Sequence, residues 1–502
     1  MTMNGMPATA NRVGESWTIA GNLDAQVRET HTGLVVLLGD KAYKAKKPVS
    51  TDFLDFSTPA RRRRACEREV VLNSRLSPNS YLGVADFTGA HGGPPEPVIV
   101  MRRYADGTRL ASMIKNGQAI HDHLQAIAET VARFHADASR GRAIDAQATV
   151  GAISARWQEN LEELVRYPDI VISRQAVKEV QRLASQFISG RASLFAQRIT
   201  ERRIVDGHAD LLADDIFCTP DELAILDCLE FDDNLRYVDT IDDAAFLAMD
   251  IEFLGREDLA NHFLDEYTRC AADPAPLSLK NFYVAYRAVV RAKVDCIRVG
   301  QGHEEAAADA RRHIDIALKH LRAGTVQLIV VGGGPGTGKT TLSRALAERS
   351  GALVISTDDV RREMRRVGAI AGTAGVLDAG LYTTENVSAV YDEVLRRAHL
   401  LLSGGRSVIL DGTWRDLRQR ERARMLAAQT SSAIVEFTCS APLERASARI
   451  ENRGVTTSDA TPLIAAELAD HSDASIDGHL IDTSRPLADS VAEAEQICCL
   501  AI

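Results

Sequence analysis

Apolar and polar positions change period along the chain, and the changes mark out its elements. From about residue 22 to 105, short alternating runs predict strands with one helix between them. LVVLLGD (34–40) and KAYKAKKP (41–48) predict two strands joined by a tight Gly39-Asp40 turn. Pro59 to Leu76 carries apolar residues at Ala65, Val70, Val71, Leu72 and Leu76, a helical spacing. PEPVIVM, ending at Met101, is another short strand. Helical periodicity then holds from Leu110 to about Arg198, as in HLQAIAETVARFHADA (123–138). A strand–turn–strand follows over RRIVDGHADLLADDIFC (202–218) and LAILDCLEF (223–231). Residues 240–322 return to helix, with a break at Pro274–Pro276.

Ala323-Gly324-Thr325 is the sharpest punctuation, and beyond it the pattern becomes an alternation of strand and helix. VQLIVVGG, ALVIS, SVILDG, AIVEFTCS and HLID are the strands. Short apolar strands alternating with helices predict a parallel sheet with crossover helices. The expected domains are therefore 22–322 and 325–502, an α+β domain followed by an α/β domain. No repeat or low-complexity segment interrupts them.

Composition narrows the picture only a little. A chain of 502 residues suggests roughly two to four domains. Its 45% hydrophobic and 25% charged residues are those of an ordinary globular protein. The net charge of −10 counts against a long nucleic acid as main partner, because such proteins carry a basic footprint. No stretch approaches the ~18 apolar residues of a membrane helix, and the first residues lack the apolar core of a signal peptide. A cytoplasmic protein is expected. None of the eight cysteines (66, 218, 228, 270, 296, 439, 498, 499) forms a CxxC pair, so no zinc site or disulfide framework is indicated.

The strongest chemical signal is Gly333-Gly334-Pro335-Gly336-Thr337-Gly338-Lys339-Thr340, which satisfies GxxxxGK[ST] between an apolar strand and an amphipathic helix that begins Thr341-Leu342. Glycines let backbone N–H groups curl round phosphates, and the helix N-terminus adds positive potential. Lys339 reaches the β- and γ-phosphates of ATP, and the Thr340 hydroxyl is placed to hold Mg²⁺. The next strand ends in Ser356-Thr357-Asp358-Asp359-Val360-Arg361. There Asp358 can take a proton from an acceptor hydroxyl with Arg361 holding the acceptor, or Asp358 can simply cap a helix. Asp411, at the end of SVILD, can orient Mg²⁺ or cap. Arg445, Arg449 and Arg453 fall four apart on one helix face, either as a lid over phosphates or as a solvated basic face.

The GxPGTGKTTL loop, the DDxR element and the Arg-bearing helix together resemble small-molecule P-loop kinases, notably the gluconate-kinase, polynucleotide-kinase and zeta-toxin group. The likeness covers about 325–502. It implies that Asp358, rather than Asp359, is the base.

Upstream, His208-Ala209-Asp210, Asp215 and Asp227 bring carboxylates onto one loop and two adjacent strands. One carboxylate can work on a hydroxyl while another holds Mg²⁺. Lys44 and Lys46 share a strand face, and Glu67 and Glu69 follow on the helix. These residues resemble the aminoglycoside-phosphotransferase-like, protein-kinase-like fold over roughly 22–320. The resemblance implies a bilobal domain with HADLLADD as the HGDxxxxN loop and Asp210 as its catalytic carboxylate. It makes Asp215 and Asp227 metal ligands, and Lys46 with Glu69 the strand–helix ion pair. Lys44 and Glu67 remain alternatives, and Glu230 competes with Asp227. Two departures stand out: Asp215 takes the place of an Asn, and only Thr30-His31-Thr32-Gly33 stands where a Gly-rich loop belongs.

The function expected is transfer of the ATP γ-phosphate to a small-molecule hydroxyl by two kinase-like modules. The alternative is an amino-terminal ligand-sensing module that regulates the carboxy-terminal one. His121 and His123 lack metal-ligand spacing and read as surface residues, and His135 reads as a core histidine.

Overall fold

The computed structural model describes residues 16–19, 23–29, 33–49, 55–88, 94–373, 379–452 and 478–502. Packing divides the chain into two compact units, 1–148 with 202–274, and 149–201 with 275–502.

The first unit is built on a six-stranded antiparallel sheet. Its strands are β1 (Ser16–Ile19), β2 (Leu23–Glu29), β3 (Gly33–Leu38), β4 (Lys41–Lys46), β5 (Tyr81–Phe87) and β6 (Glu96–Arg102), in the order β1-β2-β3-β4-β6-β5. The β3–β4 hairpin closes through Gly39, whose φ of 59° is the left-handed value that two-residue hairpins need at their first turn position. Thr58 caps the helix Pro59–Asn73, its side chain accepting from the Arg61 N–H, with Pro59 at the first position. That helix packs Cys66 and Val70 against Tyr81, Ile99 and Met101 of the sheet. Val71, counted among its apolar positions, instead faces solvent. Two short antiparallel pairs follow, β7 (Ile204–Asp206) with β10 (Tyr237–Asp239) and β8 (Ile216–Cys218) with β9 (Leu223–Ile225). The helices His121–Asp137, Thr240–Phe253 and Glu257–Cys270 complete the unit.

The second unit holds a five-stranded, all-parallel sheet of β11 (Gln327–Gly332), β12 (Leu353–Ser356), β13 (Val408–Asp411), β14 (Ala433–Ser440) and β15 (His479–Asp482). Their order is β12-β13-β11-β14-β15, with β11 in the centre. Leu328 and Val330 enter one core while Ile329 and Val331 enter the other, so both faces of β11 are covered. The helices of 149–201 and 275–323 pack with this sheet, a division that differs from a single break near 324. They meet it at the ends where strands begin. Gly190 and Arg191 lie against Thr430, just before β14, and the Ser278 hydroxyl donates to the Gly405 carbonyl, just before β13. Among the described residues no helix is long and apolar enough to cross a membrane.

Candidate functional sites

The loop from Gly333 to Gly338 joins β11 to the helix Lys339–Ser350. Gly336 has a φ of 75°, and a Cβ there would lie 2.4 Å from the Ala446 carbonyl oxygen, so backbone geometry and space both require glycine. The Thr337 hydroxyl donates to the Gly334 carbonyl at 2.8 Å and tightens the turn. At the helix start the Thr340 hydroxyl donates to Asp411 Oδ2 at 2.8 Å. Asp411 ends β13, the parallel neighbour of β11, and is only 2% exposed. Its Oδ1 is buried with no hydrogen-bond partner. Burial raises its carboxyl above the usual range, opposed in part by the Lys339 charge and the Thr340 bond. A buried carboxylate oxygen awaiting a partner beside a hydroxyl suits a hard divalent cation.

Asp358 and Arg361 sit in the helix Thr357–Arg366, which follows β12. Ser356 occupies the cap position, and the Asp358 carboxylate instead accepts from Arg361 Nη1 at 2.7 Å. Arg361 is buried, lies 4.6 Å from the Tyr382 ring centre, and has a buried Nε without a partner. Asp359 faces solvent. The helix Leu443–Glu451 presents Arg445 and Arg449 as a pair: Arg445 donates to the Ser484 carbonyl, and Arg449 donates to the carbonyls of Gly336 at 3.3 Å and Thr483 at 2.7 Å. Arg453 lies outside the described residues.

The first unit has its own charged centre. Glu69, fully buried on its helix, faces two lysines of β4: Lys44 Nζ lies 2.8 Å from Oε1, and Lys46 Nζ lies 2.5 Å from Oε2. The Lys46–Glu69 pair is thus present, but Lys44 shares the same carboxylate and also reaches Asp227 Oδ1 at 2.6 Å. Lys46 is the deeper of the two, and its other partner is Glu230. Asp227 and Glu230 therefore bind different lysines, while Glu67 faces solvent.

Burial would lower the Lys44 ammonium, but the Asp227 and Glu69 charges outweigh it and raise it well above its usual value. Burial would likewise raise Asp227, and Lys44 outweighs it, holding that carboxyl below the usual range. Asp215 goes the other way, pushed well up by burial and by the Asp227 and Asp210 charges.

The backbone around these carboxylates is tightly held. Ala209 and Asp227 both have left-handed φ, 67° and 64°. Such values are uncommon outside glycine and persist where the surroundings impose them. Buried Asp243, on the helix Thr240–Phe253, accepts from the His208 and Ala209 N–H groups at 2.7 Å each. His135 Nε2 lies 3.0 Å from the same carboxylate, and its Nδ1 lies 2.7 Å from the Tyr267 hydroxyl. Asp243 thus fixes the turn that presents Asp210. Among the described residues no three His, Cys, Asp or Glu side chains converge on a ready-made metal site. A cation held by Asp215 and Asp227 would take the rest of its shell from phosphates and water, as Mg²⁺ usually does.

Asp243 and Thr483 were not singled out in the sequence. Asp243 lies in a helix with no motif around it, and Thr483 merely follows a strand. Of the Gly-rich-loop candidate Thr30-His31-Thr32-Gly33, the first three residues lie outside the described residues and Gly33 begins β3. On the Glu69 helix, Arg61 pairs with Asp55, Arg62 with Glu96, Arg63 with Asp86 and Arg68 with Asp233.

The uncharacterized protein Rv2004c of Mycobacterium tuberculosis (strain ATCC 25618 / H37Rv) is 58% identical over 471 residues, spanning 94% of this chain and 95% of the relative. The chain belongs to the family of that protein. The profile of the AAA domain matches residues 328–474. Two solved structures are also similar. A choline/ethanolamine kinase family protein from Mesorhizobium loti is 15% identical, with 60% of this chain and 93% of that one covered and a TM-score of 0.35. A gluconokinase from Sinorhizobium meliloti 1021 is 17% identical, with 35% and 92% covered and a TM-score of 0.27. The family member described here combines a P-loop α/β fold with a six-stranded antiparallel sheet whose strand lysines pair with a helix glutamate.

Proposed function

We propose that the protein is an ATP-dependent phosphotransferase whose P-loop site transfers the γ-phosphate of Mg-ATP to a small-molecule hydroxyl. The observation that carries this reading is the Thr340–Asp411 bond at the mouth of the P-loop, with Asp411 Oδ1 buried and unpartnered beside it. Thr340 and Asp411 would hold the magnesium ion, which neutralises charge on the phosphate oxygens. Lys339 and the loop N–H groups stabilise the phosphates. Arg361, gripping Asp358 Oδ1, fixes the carboxylate that accepts the acceptor's hydroxyl proton. The acceptor oxygen then bonds to the γ-phosphorus as the bond to the bridging β–γ oxygen breaks, and ADP leaves. Arg449 supports the phosphate side through its bond to Gly336.

The first unit would bind a second Mg-ATP. Asp210 would act on a hydroxyl, Asp215 and Asp227 would hold the metal, and the Lys44/Lys46–Glu69 cluster would face the phosphates. A second reading makes this unit a ligand-sensing module. The contact that favours it is Lys44 closed on Asp227, which occupies the carboxylate a metal would need. The net charge of −10 supports a small-molecule acceptor over a nucleic acid, and a cytoplasmic setting suits reduced cysteines and ATP.

Titration calorimetry with ATP and Mg²⁺ tests the nucleotide sites. Wild type should bind two equivalents, and Lys339→Ala one. A Lys339→Ala protein that still binds as wild type does would remove the P-loop assignment, and a wild type that binds one equivalent would favour the sensing reading.

A further inference from the structure

The loop that follows β15 grips the phosphate loop by its carbonyl groups. Thr483 is nearly buried, and its hydroxyl lies 2.6 Å from the Thr337 carbonyl oxygen, with the Ser440 carbonyl a longer 3.1 Å away. Its own N–H donates to the Ser440 carbonyl at 3.0 Å, which ties the loop to the end of β14. Arg449 closes the arrangement from the helix Leu443–Glu451. It donates through Nη2 to the Thr483 carbonyl at 2.7 Å and through Nη1 to the Thr483 hydroxyl and the Gly336 carbonyl, both at 3.3 Å. A Cβ built on Gly338 would lie 3.2 Å from both the Thr483 hydroxyl and Arg449 Nη1, so this side of the loop is filled.

In a trans peptide the C=O and N–H lie in one plane and point in opposite directions. With the Thr337 carbonyl drawn toward Thr483, the Gly338 N–H, at the start of the helix Lys339–Ser350, points away from Thr483. A helix N-terminus with converging N–H groups favours an anion there.

We propose that Thr483 is a positioning residue for the phosphate loop: its hydroxyl, backed by Arg449, sets the 337–338 peptide so that the Gly338 N–H meets the β-phosphate of a nucleotide. This rests on the nucleotide reading of the P-loop given above. Neither residue need touch the nucleotide for the effect. It predicts dependence on the β-phosphate rather than a general loss of binding.

The test measures ADP and AMP affinities of the full-length protein, on the binding class that Lys339→Ala removes. Thr483→Val, which keeps the shape and deletes the donor, should weaken ADP binding about tenfold to a hundredfold, the scale of a misaimed charge-assisted hydrogen bond. AMP affinity should change little, and Thr483→Ser should restore ADP binding. Unchanged ADP affinity in Thr483→Val overturns the proposal, as does equal weakening of AMP or failure of the serine to restore. Should the valine variant fail to fold, Arg449→Gln takes its place and must show the same ADP-selective loss, and its absence overturns the proposal equally. A Lys339→Ala protein that loses no binding class would instead mean that the nucleotide reading itself has failed.

Discussion

Glu69 lies between two ammonium groups that the strand β4 presents on one face, and the residues around it divide the labour of charge. Lys44 links Glu69 to Asp227, while Lys46 sits deeper and links it to Glu230. That β4 turns lysines toward the helix was legible in KAYKAKK, where Lys44 and Lys46 share one strand face. The role of Lys44 was not, because strand period cannot say which of two same-face lysines lies beside a distant carboxylate. Close by, burial lowers the His208 imidazole to about 4, and its Nε2 lies 3.1 Å from the Leu226 carbonyl. An unfolded histidine titrates near 6.5, so between these values the unfolded chain holds more protons than the folded one. Stability contributed by neutral His208 is therefore full above about pH 6.5 and declines as the pH falls toward 4. Between pH 7 and pH 5 the loss should reach about 2 kcal/mol. Urea denaturation at the two pH values should show it in wild type and not in His208→Asn, and parallel pH dependence in both proteins would refute it.

At the scale of elements, the junction at Gly190 decides how the helices attach to the parallel sheet. Gly190 ends the helix Arg174–Gly190, and a Cβ there would lie 2.1 Å from the Thr430 carbonyl oxygen. Arg191, almost fully buried, donates to the same carbonyl at 2.6 Å. Gly190→Val should destabilise this unit by about 1–3 kcal/mol, the cost of forcing a side chain into a closed contact. Gly151→Ala, in the open on the helix Val150–Leu164, should be neutral or gain about 0.5–1 kcal/mol. Heat denaturation of the two variants checks the pair, and similar melting would show that the junction is not closed. The strands and helices themselves were largely readable, because apolar runs such as SVILD and AIVEFTCS are long enough to set their type. Which sheet a helix packs against was not. The helices of 149–201 precede their sheet by more than a hundred residues, and periodicity records a buried face without naming what covers it.

Across the whole molecule, the P-loop was the most legible feature, because there the composition is itself the chemistry: glycines, lysine and threonine in a fixed order between strand and helix. The supports around it were far less visible. Asp243 holds the turn before Asp210, and Thr483 holds the P-loop from the loop after β15, late in the chain. Both act on backbone groups, which leave no side-chain pattern to read. The AAA domain match over 328–474 covers the P-loop, and the 58% identity to Rv2004c spans 94% of the chain. The most direct measurement incubates a metabolite extract with the full-length protein, Mg²⁺ and ATP labelled with ¹⁸O in the γ-phosphate, and follows labelled products by mass spectrometry. The account predicts a labelled phosphorylated metabolite that wild type forms and Lys339→Ala does not. A label that reaches no metabolite, or reaches one equally with Lys339→Ala, would contradict it.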